Sequence, residues 1–423
     1  MATLEKAVVK GLAEDKGLYM PENIKPLPKE FFDNIDNMSF QEIAYTVADA
    51  FFGEDVDAES LKKIVYDTLA FDCPVVPVSE NIYTLELFHG PTLAFKDVGA
   101  RFMARLLQYF LKKENNGSEV NVLVATSGDT GSAVANGFLG VDGIKVYVLY
   151  PKGKVSPIQE CQFTTLGKNI TAIEVDGVFD DCQALVKSAF MDADLNAHMK
   201  LTSANSINVA RFLPQAFYYF YAYAQMKKLG KADQMVMCVP SGNFGNICAA
   251  LFGHRMGLPI KRFVAANNAN DIFYNYLQTG KYNPQPSKAT LANAMDVGDP
   301  SNFARIYDLY KGDHKAITSL ISGATYKDEQ IRDTMRQCHK ETGYVLDPHG
   351  ACGYQALKDL LQPGEYGVFC ETAHPAKFKE KVDDILSTDI EIPARLQAFM
   401  KGIKQSVEMS KEFADFKAYL LKQ

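Results

Sequence analysis

The sequence lacks the features of a membrane protein and of a nucleic-acid-binding protein. Its 423 residues contain no apolar run of membrane-spanning length. They also contain no basic stripe interleaved with aromatic residues, and the formal net charge is −7. We therefore expect neither a membrane nor a nucleic acid as a partner.

Cysteine and histidine are few and show no metal-ligand spacing. The eight cysteines form no Cys-x-x-Cys pair, and the seven histidines form no His-x-x-x-His pair. We expect no metal site, and cysteines that are reduced and mainly structural. The first residues, Met1–Lys6, do not have the character of a signal peptide, and we expect a cytoplasmic location.

Buried strands and amphipathic helices alternate along most of the chain. Strands are predicted at Val120–Ala125, 145–150, 169–175 and 199–202, and helices fit between them. Such alternation indicates right-handed βαβ units and a parallel sheet. A second set of strands begins at Met235 and continues at 263–266 and 368–370, and a short strand is predicted at 82–87. The sequence thus predicts an α/β fold with two parallel or mostly parallel open sheets flanked by helices.

The same patterns predict three domains. Residues 1–78 carry apolar stripes at helical spacing and predict a mainly helical N-terminal domain, with Pro74 and Pro77 at its boundary. Residues 99–211 predict a small α/β domain. Residues 79–98 and 212–423 predict a larger α/β domain.

A single lysine, Lys96, lies in the stretch Phe88–Asp97 among small, apolar and aromatic residues. Gly90 and Pro91 force a turn, and a helix is predicted from Val98 to about Lys113. A lysine in an apolar setting at a helix start loses solvation of its ammonium group and lies at the positive end of the helix dipole. Both effects favour the neutral amine, the nucleophile that Schiff-base chemistry needs.

Two glycine loops each follow a buried strand and precede a helix. They are Thr126–Gly131 and Pro240–Asn246. Such turns bring bare backbone N–H groups and a helix N-terminus to one point, which favours an anion. Neither loop has the Gly-x-Gly-x-x-Gly or the P-loop spacing, which argues against a dinucleotide oxidoreductase. Two loops that favour an anion and a lysine in an apolar setting together indicate a cofactor with a phosphate and a carbonyl. Pyridoxal phosphate has both.

Two further stretches place polar groups after strands. Ser203–Arg211 combines amides, hydroxyls and one arginine, whose five donors suit bidentate phosphate binding. In Glu371–Lys377, the hydroxyl of Thr372 could meet a ring nitrogen. Each stretch is also consistent with an ordinary polar loop or helix cap.

Together these stretches resemble the threonine synthases of bacteria and fungi. The similarity runs from about residue 7 to 380, in the family's order. It implies the tryptophan-synthase-β type of pyridoxal-phosphate fold, fold type II. The stretches similar to that family's motifs are Ala7–Glu22, Phe88–Asp97, Ala125–Ser132, Ser241–Asn246 and Thr372–Phe378.

The resemblance also implies a role for individual residues. Lys96 would carry the cofactor as a Schiff base and act as the catalytic base, and the large domain would bind the cofactor. The implied cofactor-binding residues are Lys96, Asp129, Gly242, Asn243, Phe244, Gly245, Asn246 and Thr372. The implied substrate-binding residues are Ser127, Gly128 and Thr130 for the carboxylate, and Lys154, Asn205, Ser206, Asn208 and Arg211 for the phosphate.

Asp129 departs from the wider superfamily, in which asparagine usually lies near the phenolic oxygen of the cofactor. A carboxylate beside an anionic oxygen would repel it. Asp129 would therefore be protonated, face a protonated oxygen or point elsewhere.

The reaction implied by the resemblance converts O-phospho-L-homoserine and water to L-threonine and phosphate by β,γ-elimination and replacement, the last step of threonine biosynthesis. The chain would be a pyridoxal-phosphate-dependent carbon–oxygen lyase acting on phosphate, as a monomer or a homodimer. One alternative is a β-eliminating or β-replacing enzyme such as a threonine dehydratase or a cysteine synthase; Arg211 with Asn205 argues against it, because those substrates need no second phosphate site. The other is a non-catalytic binding protein, against which Lys96 and both glycine loops argue.

Overall fold

The computed structural model describes residues 1–115 and 117–423, and their contacts divide the chain into two compact units. The first unit consists of Met1–Tyr19, Lys96–Arg211 and Ile392–Gln423. The second unit consists of Met20–Phe95 and Phe212–Glu391.

The described residues form eleven strands. In chain order they are β1 Val75–Ser79, β2 Ile82–Glu86, β3 Val120–Ala125, β4 Ile144–Pro151, β5 Ile170–Asp176, β6 Lys200–Ser203, β7 Met235–Pro240, β8 Arg262–Asn267, β9 Ile321–Thr325, β10 Tyr366–Glu371 and β11 Val407–Ser410.

The same residues form twenty α-helices. They are α1 Leu4–Lys10, α2 Lys29–Asn34, α3 Phe40–Phe52, α4 Ala58–Thr68, α5 Lys96–Glu114, α6 Asp129–Phe138, α7 Pro157–Thr164, α8 Phe179–Met191, α9 Ala193–His198, α10 Val209–Phe212, α11 Ala216–Lys228, α12 Gly245–Arg255, α13 Ile272–Thr279, α14 Phe303–Leu309, α15 His314–Leu320, α16 Asp328–Thr342, α17 Pro348–Leu360, α18 Lys379–Leu386, α19 Ala394–Met400 and α20 Phe413–Leu421. Short 3₁₀ helices lie at Ile35–Asn37, Leu213–Gln215, Asn293–Met295 and Pro375–Phe378.

The first unit is built on a five-stranded sheet in the order β11–β5–β4–β3–β6, and every pair is parallel. All six residues of β3 are buried. Such continuous burial is typical of a parallel strand with both faces covered. Leu123, Ile173, Leu185 and Phe416 share one core in this unit.

The second unit is built on a six-stranded sheet in the order β1–β2–β10–β7–β8–β9. All pairs are parallel except β1 with β2. β1 lies at the edge, where Pro77 is tolerated because a proline can supply no ladder N–H. Val236, Val264, Leu357 and Phe369 belong to the core beneath this sheet.

The predicted fold class is confirmed: two sheets, mostly parallel, are flanked by helices, and the N-terminal region is helical. Ser39 caps α3 in a capping box with Glu42. Three strands were not predicted, namely β1, β9 and β11. The helix that carries the candidate lysine begins at Lys96 and not at Val98.

The two contact units differ from the expected domain boundaries at both ends of the chain. β11 pairs with β5, and Lys404 Nζ lies 2.5 Å from Glu174 Oε2, so residues 392–423 group with the first unit and not with the remainder of 212–423. Residues 1–19 also belong to the first unit, because α1 packs on α5 and β6.

Candidate active site

Each unit gathers candidate site residues at the carboxyl edge of its own sheet. In the second sheet β2, β10 and β7 are neighbours, and they lead into the lysine stretch, Thr372 and the loop 241–246. In the first sheet β4, β3 and β6 are neighbours, and they lead into Lys154, the loop 126–130 and the stretch 204–211. Ligands of open parallel sheets bind at this edge.

The backbone before Lys96 is fixed against the loop that contains Thr372. Phe95 N donates to Thr372 O at 2.8 Å, and His374 N donates to Leu93 O at 3.0 Å, which forms an antiparallel bridge between Ala94 and Ala373. Leu93 holds a left-handed φ of 60° in this turn. Such strained residues persist where the surrounding structure determines their conformation.

Lys96 follows Phe95 directly and is the first residue of α5, with its side chain half-buried. Gly99 lies one turn further along this helix. A methyl group at Gly99 would collide with the carbonyl oxygen of Arg211. Within the first unit, the helix that begins at Lys96 therefore packs against the end of the polar stretch 203–211.

The glycine loop after β7 opens α12 without a capping side chain. Phe244 holds a left-handed φ of 66°, and a Cβ at Gly242 would lie 2.6 Å from Ala294 O. An uncapped helix start after a parallel strand suits a phosphate, because the first N–H groups of a helix lack intrahelical acceptors. These features fit the phosphate of pyridoxal phosphate.

Two asparagines of this loop are engaged by the protein itself. Asn246 Nδ2 donates to Pro240 O at 2.9 Å, and Ile247 N donates to Asn246 Oδ1 at 2.9 Å. Ser301 N donates to Asn243 Oδ1 at 2.7 Å. The side chains of Asn243 and Asn246 therefore brace the loop.

The glycine loop after β3 has a similar construction. Thr126 Oγ1 accepts hydrogen bonds from Gly128 N at 2.9 Å and from Gly131 N at 2.8 Å. Gly128, with φ 146°, precedes α6, which begins without a side-chain cap. Ser127 and Thr130 are half-buried on this loop.

Gln159 was not anticipated from the sequence, although it is buried against this loop. Its Nε2 donates to Asp129 Oδ1 at 3.0 Å, and Ser156 Oγ donates to its Oε1 at 3.1 Å. A Cβ at Gly128 would lie 2.5 Å from the Gln159 amide carbon. Gln159 therefore fixes both Gly128 and Asp129. A glutamine inside a predicted helix carries no signal that could have identified it.

Asn208, expected at the substrate phosphate, is engaged by hydrogen bonds inside the first unit. Its Nδ2 donates to Val8 O at 2.9 Å and to Ser203 O at 3.2 Å, and its Oδ1 accepts from Ala210 N at 3.0 Å. Both amide hydrogens are used and the residue is fully buried. Asn208 therefore joins helix α1 to the polar stretch.

The remaining residues of the stretch differ in exposure. Asn205 and Ser206 are half-buried, and Arg211 is 1% exposed and donates from Nη1 to Ala204 O. Lys154 lies exposed on the turn after β4.

We also searched the described part of the chain for membrane-spanning helices, metal-binding clusters and disulfides. Over residues 1–115 and 117–423, no helix is long and apolar enough to cross a membrane. The same residues contain no group of three His, Cys, Asp or Glu side chains placed to hold a metal ion. The eight cysteines, all within the described residues, form no disulfide, and Cys161 is the one among them that is not buried.

Three family models match the chain. The model described as pyridoxal-phosphate dependent enzyme matches residues 72–368. The models described as threonine synthase N terminus and threonine synthase, C-terminal match residues 1–69 and 350–420.

Curated relatives and solved structures are similar over nearly the whole chain. The threonine synthase of Haemophilus influenzae is 46% identical over 99% of this chain and 97% of that protein. The crystal structure of threonine synthase from Escherichia coli has a TM-score of 0.92 and 42% identity, and covers 100% of this chain and 97% of that one. The pyridoxal-phosphate-bound threonine synthase from Brucella melitensis has a TM-score of 0.92 and 34% identity, over 99% and 96% of the two chains.

Proposed function

Because this chain belongs to the threonine synthase family of pyridoxal-phosphate-dependent lyases, we propose that it converts O-phospho-L-homoserine and water to L-threonine and phosphate. The observation that supports this proposal most directly is the close approach of Gly99 to the carbonyl oxygen of Arg211. It joins the helix that begins at the cofactor lysine to a stretch suited to a phosphate. A lyase whose substrate has no phosphate would not need that stretch.

Lys96 is the residue that carries the cofactor and moves protons. When bound, pyridoxal phosphate supplies an electron sink for the charge that develops as protons leave the α- and β-carbons. The Lys96 amine, which would hold the cofactor, would serve as the base that takes the α-proton of the substrate and then a β-proton. Phosphate then departs from the γ-carbon, and the γ-carbon gains a proton. Water adds its hydroxyl group at the β-carbon, and the α-carbon regains a proton.

The backbone of the second unit supports the cofactor roles. Gly242, Phe244 and Gly245 lie at the uncapped start of α12, and we assign the cofactor phosphate to their N–H groups. Thr372 is 7% exposed and its backbone is held by Phe95. We assign its hydroxyl to the pyridine nitrogen, which a neutral hydroxyl would not force into the protonated form.

The loops of the first unit support the substrate roles. We assign the substrate carboxylate to the uncapped loop of Ser127, Gly128 and Thr130, and the substrate phosphate to Asn205, Ser206 and Arg211. Lys154 is exposed and free to reach a substrate phosphate. Because Gln159 Nε2 donates to Asp129 Oδ1, we assign Asp129 a place in the loop rather than a contact with the phenolic oxygen.

Product analysis tests the proposed function. Purified protein loaded with pyridoxal phosphate is incubated separately with O-phospho-L-homoserine and with L-serine, and phosphate, threonine and pyruvate are measured. We expect equal amounts of threonine and phosphate from the first substrate and slow or no turnover of the second. Fast pyruvate formation from serine without threonine from phosphohomoserine would instead establish a dehydratase.

The variant Arg211→Gln tests the phosphate assignment within the same assay. Loss of a charge-assisted bidentate contact costs about 2–4 kcal/mol, or roughly 30- to 1000-fold in kcat/KM for phosphohomoserine. Slow elimination from serine should be nearly unchanged, and Arg211→Lys should not restore full activity, because one ammonium group cannot reproduce the planar fork. An equal loss on both substrates would make Arg211 structural.

We further propose that the protein acts in the cytoplasm on a free small molecule, without nucleic acid, as a monomer or a homodimer. The net charge of −7 supports the lack of a nucleic-acid partner. Light scattering of the purified protein measures its mass, and a mass above that of two chains would exclude both assembly states.

A further inference from the structure

Three ionisable side chains are buried behind Thr372 in the second unit. Glu371 is the last residue of β10, Asp347 is the N-cap of α17, and His349 lies in the first turn of that helix. Their exposures are 0%, 0% and 2%. A methyl group at Gly350 would collide with Glu371 Oε2, so the helix start and the glutamate are in close contact.

Asp347 is surrounded by donors. It accepts hydrogen bonds from His349 N at 3.1 Å, Gly350 N at 2.8 Å and His349 Nδ1 at 2.5 Å. Ala294 N donates to His349 Nε2 at 3.1 Å, which leaves the ring proton on Nδ1. Burial raises the pKa of Asp347, but His349 and the donated hydrogen bonds outweigh it and hold that pKa below its ordinary value. Asp347 is therefore the anion of the cluster.

Glu371 has the opposite surroundings. Among the described residues, neither of its carboxyl oxygens has a hydrogen-bond partner of good geometry. The backbone N–H of Asp347 lies near the carboxyl group and opposes the rise of its pKa without cancelling it. Burial and the negative charges of Asp347 and Glu86 raise the pKa of Glu371 well above 4.5. A buried carboxylate without a donor is costly, whereas a buried carboxylic acid can donate its own proton to Asp347.

The cluster contacts both parts of the cofactor site in the second unit. Glu371 directly precedes Thr372, and its carbonyl accepts from Leu87 N at 3.0 Å. His349 holds Ala294, whose carbonyl would lie 2.6 Å from a Cβ at Gly242. We propose that Glu371 is a neutral carboxylic acid that donates its proton to Asp347, and that this acid pair positions Thr372 and, through His349 and Ala294, the loop of Gly242.

This inference rests on the proposed function in one respect, the assignment of Thr372 and Gly242 to the cofactor. Other charged or titratable groups near the pair are Glu86, Tyr344 and the buried His374, and Lys377 lies near His374. Glu86 accepts from Tyr344 Oη at 2.7 Å and lies 3.0 Å from His89 Nε2. Burial lowers the pKa of His374 to about 4, so it is neutral at pH 7.

The variant Glu371→Gln tests the protonation state, since an amide keeps the shape, the neutrality and one donor to Asp347. In the cofactor-free protein, a group whose pKa is raised on folding stabilises the fold fully below its unfolded pKa and loses that contribution as pH rises. The Tm of Glu371→Gln relative to that of the unsubstituted protein should therefore rise as pH increases from 5 to 8. A relative Tm that falls over this range would overturn the proposal.

Glu365→Gln is the matched control, since Glu365 directly precedes β10, which ends at Glu371. Glu365 is equally buried but pairs with Arg262 and Lys261 at 2.8 and 3.0 Å, and its pKa is lowered to about 2. This variant should lose stability at every pH from 5 to 8. Infrared difference spectra against the unsubstituted protein add a direct readout: a protonated carboxyl band should be lost in Glu371→Gln and not in Glu365→Gln. Loss of a carboxylate band in Glu371→Gln would contradict a neutral acid.

Cofactor affinity tests the positioning role without any substrate. Glu371→Gln should bind pyridoxal phosphate within about threefold of the unsubstituted protein, whereas Gly350→Ala, which pushes Glu371 away, should bind roughly tenfold more weakly. Unchanged affinity in a folded Gly350→Ala protein would refute positioning. Because no substrate is present, this outcome is independent of which reaction the enzyme catalyses.

Discussion

The α-carbon of Gly99 faces the carbonyl oxygen of Arg211 so closely that a methyl group between them would collide with it. Gly99 lies one turn after Lys96 on α5, and Arg211 ends the stretch assigned to the substrate phosphate. The glycine therefore sets the spacing between Lys96 and that stretch.

Gly99→Ala should weaken this arrangement. Alanine gains about 1 kcal/mol of helix propensity, but overpacking against backbone costs about 1–3 kcal/mol and must move α5 or Arg211. We expect a lower Tm and a kcat/KM for phosphohomoserine that falls more than any turnover of serine. Gly253→Ala on α12 is the comparison, since its methyl would face side-chain carbons of Phe220 and Leu258 at 3.1 and 3.3 Å. Equal effects in both variants would contradict a specific role for Gly99.

Lys96 should be the lysine that carries the cofactor. Protein purified without added ligand should be yellow, and borohydride reduction followed by peptide mapping should find the pyridoxyl group on Lys96. Lys96→Ala should remove the label and the activity, whereas Lys113→Ala, in the last turn of the same helix, should keep both. A label on any other lysine would refute the assignment.

Asn205 and Asn208 should separate binding from stability. Asn208→Ala leaves the buried carbonyls of Val8 and Ser203 without their donor, which should cost about 1–3 kcal/mol of unfolding free energy. Asn205→Ala should raise the KM for phosphohomoserine with little change in stability.

Urea unfolding and steady-state kinetics of the two variants distinguish these roles. A stable Asn208→Ala protein with a raised KM would restore Asn208 as a substrate ligand.

Glu365 should make stability depend on pH. Its pKa is lowered to about 2, chiefly by its hydrogen bond from Arg262. A carboxyl group with a lowered folded pKa stabilises the fold above its unfolded pKa, and this contribution is lost as pH falls from about 4.5 towards 2.

Glu365→Gln should therefore lose about 2–3 kcal/mol at pH 7, and the difference from the unsubstituted protein should shrink below pH 4.5. Urea unfolding at pH 7 and pH 4 measures it. A difference that does not change with pH would mean that the negative charge of Glu365 does not contribute to the stability of the fold.

Much of the fold could be predicted because parallel strands buried on both faces are continuous apolar runs. Val120–Ala125 was predicted with its observed bounds for this reason. β11 was not predicted, because its four residues form a strand through pairing with β5, more than 200 residues earlier. Local pattern carries no information about such a partner.

Some features of the candidate site could likewise be predicted from the sequence, and others could not. The two glycine loops could be located because each follows a buried strand, and the carboxyl ends of neighbouring parallel strands meet at one edge. Asn205 and Asn208 could not be distinguished from the sequence, since both are amides in one loop. They differ in that Asn208 donates a hydrogen bond to the carbonyl of Val8, which is distant in the sequence. The pair of Asp347 and Glu371 could not be predicted either, because it depends on a contact between the start of a helix and the end of a strand.

Isotope labelling tests the central claim most directly. O-phospho-L-homoserine is converted in water enriched in ¹⁸O, and the products are analysed by mass spectrometry. Elimination of phosphate from the γ-carbon followed by addition of water predicts one ¹⁸O atom in the hydroxyl group of threonine and none in the phosphate. Homoserine together with ¹⁸O-labelled phosphate would show hydrolysis at phosphorus and would contradict the proposed reaction.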